Sequence, residues 1–253
     1  MVKKMEVIGL TGFPIVKPGD DLGELIAKVA KDNGVELENG DIIVVSQKVV
    51  SKAENRIVNL KEVSPSEEAL FLAEISGKNP SLVQLILNES EEVIKVLRGH
   101  IITRTRHGIV CANSGVDCSN VAGNELIVTL LPKDPDKSAR VIRERVESLT
   151  GKKVAVIITD TYGRPLRMGQ VNVAIGISGL KPFRDYRGHY DLFGYKLRVK
   201  RITVVDEIAA AAELVMGNGA EGVPVAIVRG ANVEFGEGSA RELNMPEERW
   251  FFK

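Results

Sequence analysis

The chain has 253 residues, and its 34 Lys and Arg balance its 34 Asp and Glu, so the formal net charge is zero. That balance excludes a protein whose main task is to coat nucleic acid or an anionic membrane, though it leaves room for a local basic pocket. Hydrophobic residues make up 44% of the sequence, enough for a full core, and no run reaches the ~18 apolar residues that a membrane-spanning helix needs.

In chain order, Met5 to Leu10 reads as a strand, and Thr11 to Asp20 as a Gly/Pro loop. Leu22, Leu25, Ile26 and Val29 then share one helical face behind Asp20 and Asp21, acids that suit a helix N-terminus. Asp41 to Val45 is a short buried strand running into polar Ser46-Gln47-Lys48. Ser64-Pro65-Ser66-Glu67 predicts a helix start capped at Ser64, and Pro80-Ser81 predicts another. Val93 to Val110 alternates like a hairpin turning near His107-Gly108. Glu125 to Leu131 is a strand, and Asp134-Pro135 opens a helix whose apolar face is Ile142, Val146 and Leu149. Val154 to Ile158 is a buried strand that breaks at once into polar residues. Val171 to Ile177 and Arg201 to Val205 are further strands. Glu207 to Met216 is a helix stopped by Gly217, and Val223 to Val228 is a strand that Pro224 confines to an edge or a strand start.

Strands and helices mix without a βαβ rhythm, which predicts an α/β fold of mixed α+β type with mixed sheets and neither a Rossmann nor a P-loop core. The chain reads as one unit over 1–253, with a smaller subdomain within roughly 165–205 and no internal repeat. Met1 to Met5 leads into no apolar run of signal-peptide length, so a cytoplasmic protein is expected. Cys111 and Cys118 form no CxxC pair and suit a reduced setting. The three histidines are scattered, which disfavours an imidazole metal site and leaves a hard cation on oxygen ligands.

No GxxxxGK[ST] loop and no GxGxxG after a strand occurs. Chemistry must therefore live in polar loops at element ends. Ile157 to Pro165 is the most informative. It places Asp160, Thr159, Thr161 and Arg164 where a sheet would end, the usual ligand-binding edge of open α/β sheets. An Asp there suits a divalent cation and an Arg a phosphate. Four more loops accompany it: Gly12 to Asp21; Ser46 to Glu54, with Lys48 and Lys52 past a buried strand; Ala112 to Asn120, rich in oxygen ligands including Asp117; and Met216 to Pro224, with three glycines and Glu221. Each loop alone also reads as a connector or turn. Together they supply carboxylates, hydroxyls and basic groups for metal-assisted phosphoryl transfer. No GxSxG elbow points to a serine hydrolase.

At these loops the chain resembles the coenzyme F420-0:L-glutamate ligases, the γ-glutamyl ligases of F420 biosynthesis. The matching text is Phe13 to Leu22, Val45 to Glu54, Ala112 to Asp117 with Asn120, Thr159 to Pro165 with Arg167 and Gly169, and Met216 to Pro224. The resemblance runs from the first strand to about Gly230. It implies a homodimer with its own α/β fold. GTP would be used to join L-glutamate to F420-0 (giving F420-1), and a second glutamate would follow through a γ-linkage (giving F420-2). It implies Mn²⁺ or Mg²⁺, a pair of ions, with K⁺ in support. By resemblance Asp117, Asp160, Thr161 and Glu221 form the metal cluster. Phe13, Pro14, Ile15, Val16, Ser46, Gln47, Ser51, Asn120, Met216, Gly217, Asn218, Gly219, Ala220, Glu221, Gly222 and Val223 contact GTP. Charge and placement nominate Lys48, Lys52, Arg164 and Arg167 to clamp phosphate or carboxylate groups. No flavin site is expected, since the sequence ends at Trp250 to Lys253 without the nitroreductase-like domain fused to some relatives. Two other readings stay open on the residues: another metal-dependent nucleotide enzyme, a kinase or GTPase, and a regulatory dimer that senses GTP without turnover.

Overall fold

The computed structural model describes residues 3–251. Met1, Val2, Phe252 and Lys253, on which the reading of the two chain ends partly rests, lie outside the described residues. In chain order the elements are β1 (Glu6–Gly9), α1 (Leu22–Asp32), β2 (Ile42–Ser46), α2 (Gln47–Ala53), β3 (Ile57–Asn59), α3 (Glu67–Ser76), α4 (Pro80–Glu89), β4 (Ser90–Leu97), β5 (His100–Thr105), β6 (Val110–Ala112), β7 (Ile127–Thr129), α5 (Pro135–Thr150), β8 (Ala155–Gly163), β9 (Gln170–Ser178), β10 (Phe183–Asp185), β11 (Arg201–Thr203), α6 (Val204–Met216) and β12 (Val225–Arg229).

The aliphatic runs 42–45, 155–158 and 225–228 are continuous because both faces of their sheet are covered. The central sheet has the order β1-β12-β2-β8-β9; β2 and β8 run parallel and every other pairing is antiparallel. Ile43, Val45, Val156, Ile158 and Ile227 point to the face covered by α1 and α5, where Ile26, Val29, Ile142 and Val146 pack. The alternate residues Ile42, Val44, Ala155, Ile157 and Val228 point to α6, against Val205, Ile208 and Ala212. Between β2 and α5 the chain makes an excursion with a core of its own, built from Leu60, Ala69, Val83, Ile86, Ile101, Val128 and Leu130. Its β4-β5-β6 sheet and β3-β7 ribbon are separate from the central sheet. The mixed α/β expectation holds, with no Rossmann order.

Caps explain most helix starts. Asp21 accepts from Glu24 N (3.0 Å) at α1, and Asp134 from Lys137 N (3.1 Å) with Pro135 in the first turn of α5. Asn79 caps α4 ahead of Pro80. At α3 the cap is Ser66, not Ser64: its hydroxyl accepts from Ala69 N, so Pro65 stays outside the helix.

Several boundaries differ from the sequence reading. The text over 93–110 holds two turns, one at Arg98-Gly99 and one at 106–109, so it forms a three-stranded meander rather than one hairpin. Leu149 is 45% exposed although Ile142 and Val146 are buried, because α5 offers the sheet a narrower stripe than its apolar text. The strand expected over Arg201 to Val205 is only Arg201–Thr203, and α6 starts at Val204, three residues early. Pro224 precedes β12, whose neighbours are β1 and β2, so it marks a strand start and not an edge. Most consequential, β8 does not end at Ile158. It continues to Gly163 paired with β9, across a bulge in which Ile158 faces Gly176 and Thr159 faces Ala174.

Candidate active site

The sheet topology brings the polar loops to one end. Because β1 and β2 are each antiparallel to β12, and β8 is parallel to β2, the carboxyl ends of β1 and β2 meet the amino end of β12. Leu10 N donates to Val225 O (2.9 Å), so the Gly12–Asp21 loop leaves beside β12. Ser46 N donates to Pro224 O (2.9 Å), which seats the last residue of β2 against the Met216–Pro224 loop. Ser46 also pairs with Thr159. Asp160 therefore stands one residue beyond the edge where β2 stops, on the ribbon that β8 and β9 continue alone.

Past Ser46 the chain turns directly into α2, a helix the sequence reading left as a polar segment. Helical spacing puts Lys48 and Lys52 one turn apart on one side, and both reach the Asp117 loop. Lys48 Nζ donates to Asp117 Oδ2, Ser119 O and Ser119 Oγ, each at 2.7 Å, and Lys52 Nζ to Asn120 O at 2.8 Å. Asn120 in turn donates from Nδ2 to Gly219 O (2.9 Å), tying this loop to the glycine-rich one. An open groove of about 450 Å³ lined by residues 118–125 runs beside Asp117.

The excursion core aims Asp117. Asn113, Ser114 and Gly115 are all left-handed (φ 56°, 53° and 70°), a costly conformation for the first two that surrounding bonds must hold. Ser114 is fully buried; its hydroxyl donates to Ile86 O (3.0 Å) of α4 and its amide to Thr103 Oγ1 (3.1 Å) of β5. A Cβ at Gly115 would fall 2.6 Å from Leu131 Cγ. The Asp117–Thr129 bridge, with Asp117 N to Thr129 O at 3.1 Å and Thr129 N to Asp117 O at 2.8 Å, then fixes the backbone.

The two carboxylates differ in state. Burial acts to raise Asp117, but the Lys48 ammonium and the Ser119 amide and hydroxyl outweigh it and hold the carboxyl below its usual range. Asp160 is pushed up to about 6, chiefly by burial and further by the Asp117 charge, against bonds from Thr161 N and Gln47 and the field of Lys48. Its neighbour Cys111 is pushed up to about 12 by burial and by the Asp160 charge, so it is an inert thiol.

The other nominated residues are spread over the sheet end, the loops and the ribbon. Thr161 belongs to the pocket's rim: its hydroxyl bonds Asn172 Oδ1 and Asn218 Oδ1, each at 3.1 Å, which links the ribbon to the glycine-rich loop. Asn172 was missed in the sequence; a buried amide within an otherwise aliphatic strand was the available signal. Gln47 and Ser51 are 2% and 0% exposed, with Ser51 Oγ donating to Gln47 Oε1 (2.8 Å), so they lie beneath the pocket floor and not on its surface. Glu221 turns into its own loop, accepting from Gly219 N (2.8 Å). Among the described residues no three His, Cys, Asp or Glu side chains close into a metal cage, so Glu221 is not gathered with Asp117 and Asp160. Of Phe13 to Val16, Phe13 and Val16 pack on the core while Pro14 and Ile15 are exposed. Arg164 and Arg167 sit at the far tip of the ribbon. Arg164 donates to Met168 O (2.5 Å) and Gly169 O (3.3 Å), and Arg167 is exposed.

The Asp117 and Asp160 carboxylates and the Ser119 hydroxyl and carbonyl around Lys48 are all oxygen, the set that Mg²⁺ or Mn²⁺ accepts, while the Thr161 hydroxyl is taken up by Asn172 and Asn218. The F420-0:Gamma-glutamyl ligase family matches residues 11–230. The chain is 47% identical over 253 residues to the coenzyme F420:L-glutamate ligase of Methanocaldococcus jannaschii, covering 99% of this chain and 98% of that protein. To the protein of the same name from Methanothermobacter thermautotrophicus it is 50% identical over 226 residues, 89% of each. To that of Archaeoglobus fulgidus it is 47% identical over 245 residues, 97% of this chain and 95% of the other. With the match spanning most of the sequence and relatives aligned nearly end to end, the chain belongs to the F420-0:gamma-glutamyl ligase family.

Proposed function

We propose that the chain is a GTP-dependent ligase that joins L-glutamate to coenzyme F420-0 to give F420-1, and then adds a second, γ-linked glutamate to give F420-2. The observation that carries this reading is the Asp117–Asp160 pocket at the sheet end, beside Lys48 and under the glycine-rich loop. A carboxylate is a poor electrophile, so amide formation needs activation: the substrate carboxylate oxygen attacks the γ-phosphorus of GTP, releasing GDP and leaving an acyl phosphate. The glutamate amine then attacks the acyl carbon, phosphate departs, and the amine proton passes to solvent or a nearby carboxylate.

Asp117, Asp160 and Thr161 would hold Mn²⁺ or Mg²⁺, which neutralises charge on the β- and γ-phosphates when bound. Carboxylate and hydroxyl oxygens suit either ion, with substrate phosphates and water completing the shell. Glu221 is proposed as a further ligand reached by the Met216–Val223 loop, and K⁺ as a supporting ion. Residues Met216 to Val223, Phe13 to Val16, Ser46 and Asn120 surround the same sheet end and are proposed to receive GTP, with Gln47 and Ser51 acting from beneath through Asp160. Lys48, Arg164 and Arg167 are proposed to balance phosphate and carboxylate charge. A homodimer in the cytoplasm completes the proposal; among the described residues no helix is long and apolar enough to cross a membrane.

The test is direct. Incubation with GTP, Mn²⁺, L-glutamate and F420-0 should add the mass of one and then two glutamyl units, with GDP released in step. GDP release at the same rate without glutamate and F420-0 would overturn the ligase reading in favour of a GTPase. Tight GTP binding without any GDP release would point to a sensor.

A further inference from the structure

The Lys48 ammonium occupies a place built for a cation. Its three N–H donors meet three oxygens at 2.7 Å (a carboxylate, a carbonyl and a hydroxyl), so its donor capacity is filled. These oxygens belong to Asp117 and Ser119, the hard ligands that a divalent ion would take. Lys48 is also poorly solvated for a lysine, with its side chain 17% exposed. The loop does not depend on Lys48 alone: Lys52 holds Asn120 O, and Asn120 holds Gly219 O. The Asp117–Thr129 bridge holds the other end, so removing the ammonium from Asp117 leaves the loop anchored at both ends. Asp160 feels both the Lys48 and the Asp117 charge, so an ion at this point faces two carboxylates while Lys48 bonds only one.

We propose that Lys48 is an internal counter-cation: its ammonium fills the Asp117–Ser119 oxygens in the metal-free enzyme, and a divalent metal displaces it. Displacement frees a positive charge on a flexible four-carbon stem just as an anionic ligand reaches the pocket. Lys48 is then a positioning residue with two stations, Asp117 before metal and phosphate after. The inference rests on the metal reading of the site, and the experiment separates the two.

Mn²⁺ binding to the nucleotide-free full chain is measured by the loss of the free-ion electron paramagnetic resonance signal, for wild type, Lys48→Met and Asp117→Asn. In parallel, acetylation of each lysine by an N-hydroxysuccinimide ester is followed by mass spectrometry, with and without Mn²⁺, the exposed lysines serving as reference. Lys48→Met is expected to bind Mn²⁺ roughly tenfold tighter or more, since it removes both a competitor and a like charge. In wild type, Mn²⁺ should raise Lys48 acetylation several-fold, and Asp117→Asn should show that raised rate without metal. If wild type binds Mn²⁺ while Lys48 reactivity keeps its metal-free value, the displacement is wrong and the metal reading stands. If Lys48→Met binds Mn²⁺ more weakly than wild type, Lys48 supports the site instead of competing for it. If neither protein binds Mn²⁺, both ideas fall. The wild-type labelling decides the matter even if the Lys48 variant folds poorly.

Discussion

Asp160 sits where burial and a second carboxylate oppose its charge, and Gln47, Thr161 N and Lys48 only partly answer them. An unfavourable charge kept in a fold is a mark of function. Asp160→Asn keeps the shape and removes the charge, so glutamyl transfer should fall by roughly 100-fold or more while the melting temperature of the metal-free protein stays the same or rises. Unchanged turnover would make Asp160 structural. Gly217 makes a second case. Its φ is +65°, and a Cβ there would fall 2.3 Å from Glu221 Cδ, so Gly217→Ala must push the Glu221 carboxylate off Gly219 N. The expected result is a KM for GTP raised several-fold with a stability loss of about 1 kcal/mol; steady-state kinetics beside a thermal melt separate the two effects. A KM for GTP that does not move would place the nucleotide away from this loop.

At the level of elements, the bulge between β8 and β9 decides how Asp160 is presented. Opposite Ile158 and Thr159, β9 spends an extra residue, Ile175, and the ladder loses a partner there. Asp206 in the first turn of α6 replaces it, accepting from Ala174 N at 2.9 Å. Burial raises the Asp206 carboxyl above its usual range despite the bonds from Ala174 N and Thr203. An acid raised in the fold costs stability once ionised. The neutral acid therefore contributes stability that is fully present below the unfolded value of about 3.9 and is lost as pH rises through the folded one. Asp206→Asn, which can still accept the amide, should thus be neutral or stabilising at pH 8. Asp206→Ala orphans Ala174 N and should cost about 1–3 kcal/mol. Urea denaturation of both variants at pH 4 and pH 8 checks the sign; equal losses in Asn and Ala would show that the amide does not need this partner.

Across the whole molecule, the central sheet is held at the end opposite the site by a charge pair. Asp41, 1% exposed just before β2, accepts from Arg229 Nε and Nη2 (2.8 Å each) at the end of β12. Arg229→Met leaves a buried carboxylate uncompensated and should cost about 3–5 kcal/mol in urea denaturation. The double variant with Asp41→Asn should recover part of that loss. A cost below ~1 kcal/mol for the single variant would mean that solvent reaches Asp41 and that the pair is surface-like.

Much of this protein is written locally. Aliphatic runs, helix periodicity, the Asp-Pro and Asn-Pro starts and the glycine stops locate the elements, because each depends on backbone sterics and on near neighbours in the chain. The order of the polar loops carries the family. Residues whose conformation depends on distant partners were not legible. Asn113 and Ser114 are left-handed where distant partners hold them, Ile101 N on the Asn113 side chain and Ile86 and Thr103 on Ser114. The β8 strand runs past Ile158 only because β9 pairs with Asp160, Thr161 and Tyr162. Gln47 and Ser51 are expected from the resemblance to contact GTP and are instead buried, because α2 turns them inward. Sequence by itself determined the elements, the order of the polar loops and the family to which they belong. Tertiary structure alone decided that Lys48, Asp117 and Asp160 share one pocket, since three strands and an excursion with its own core must pack before those charges meet.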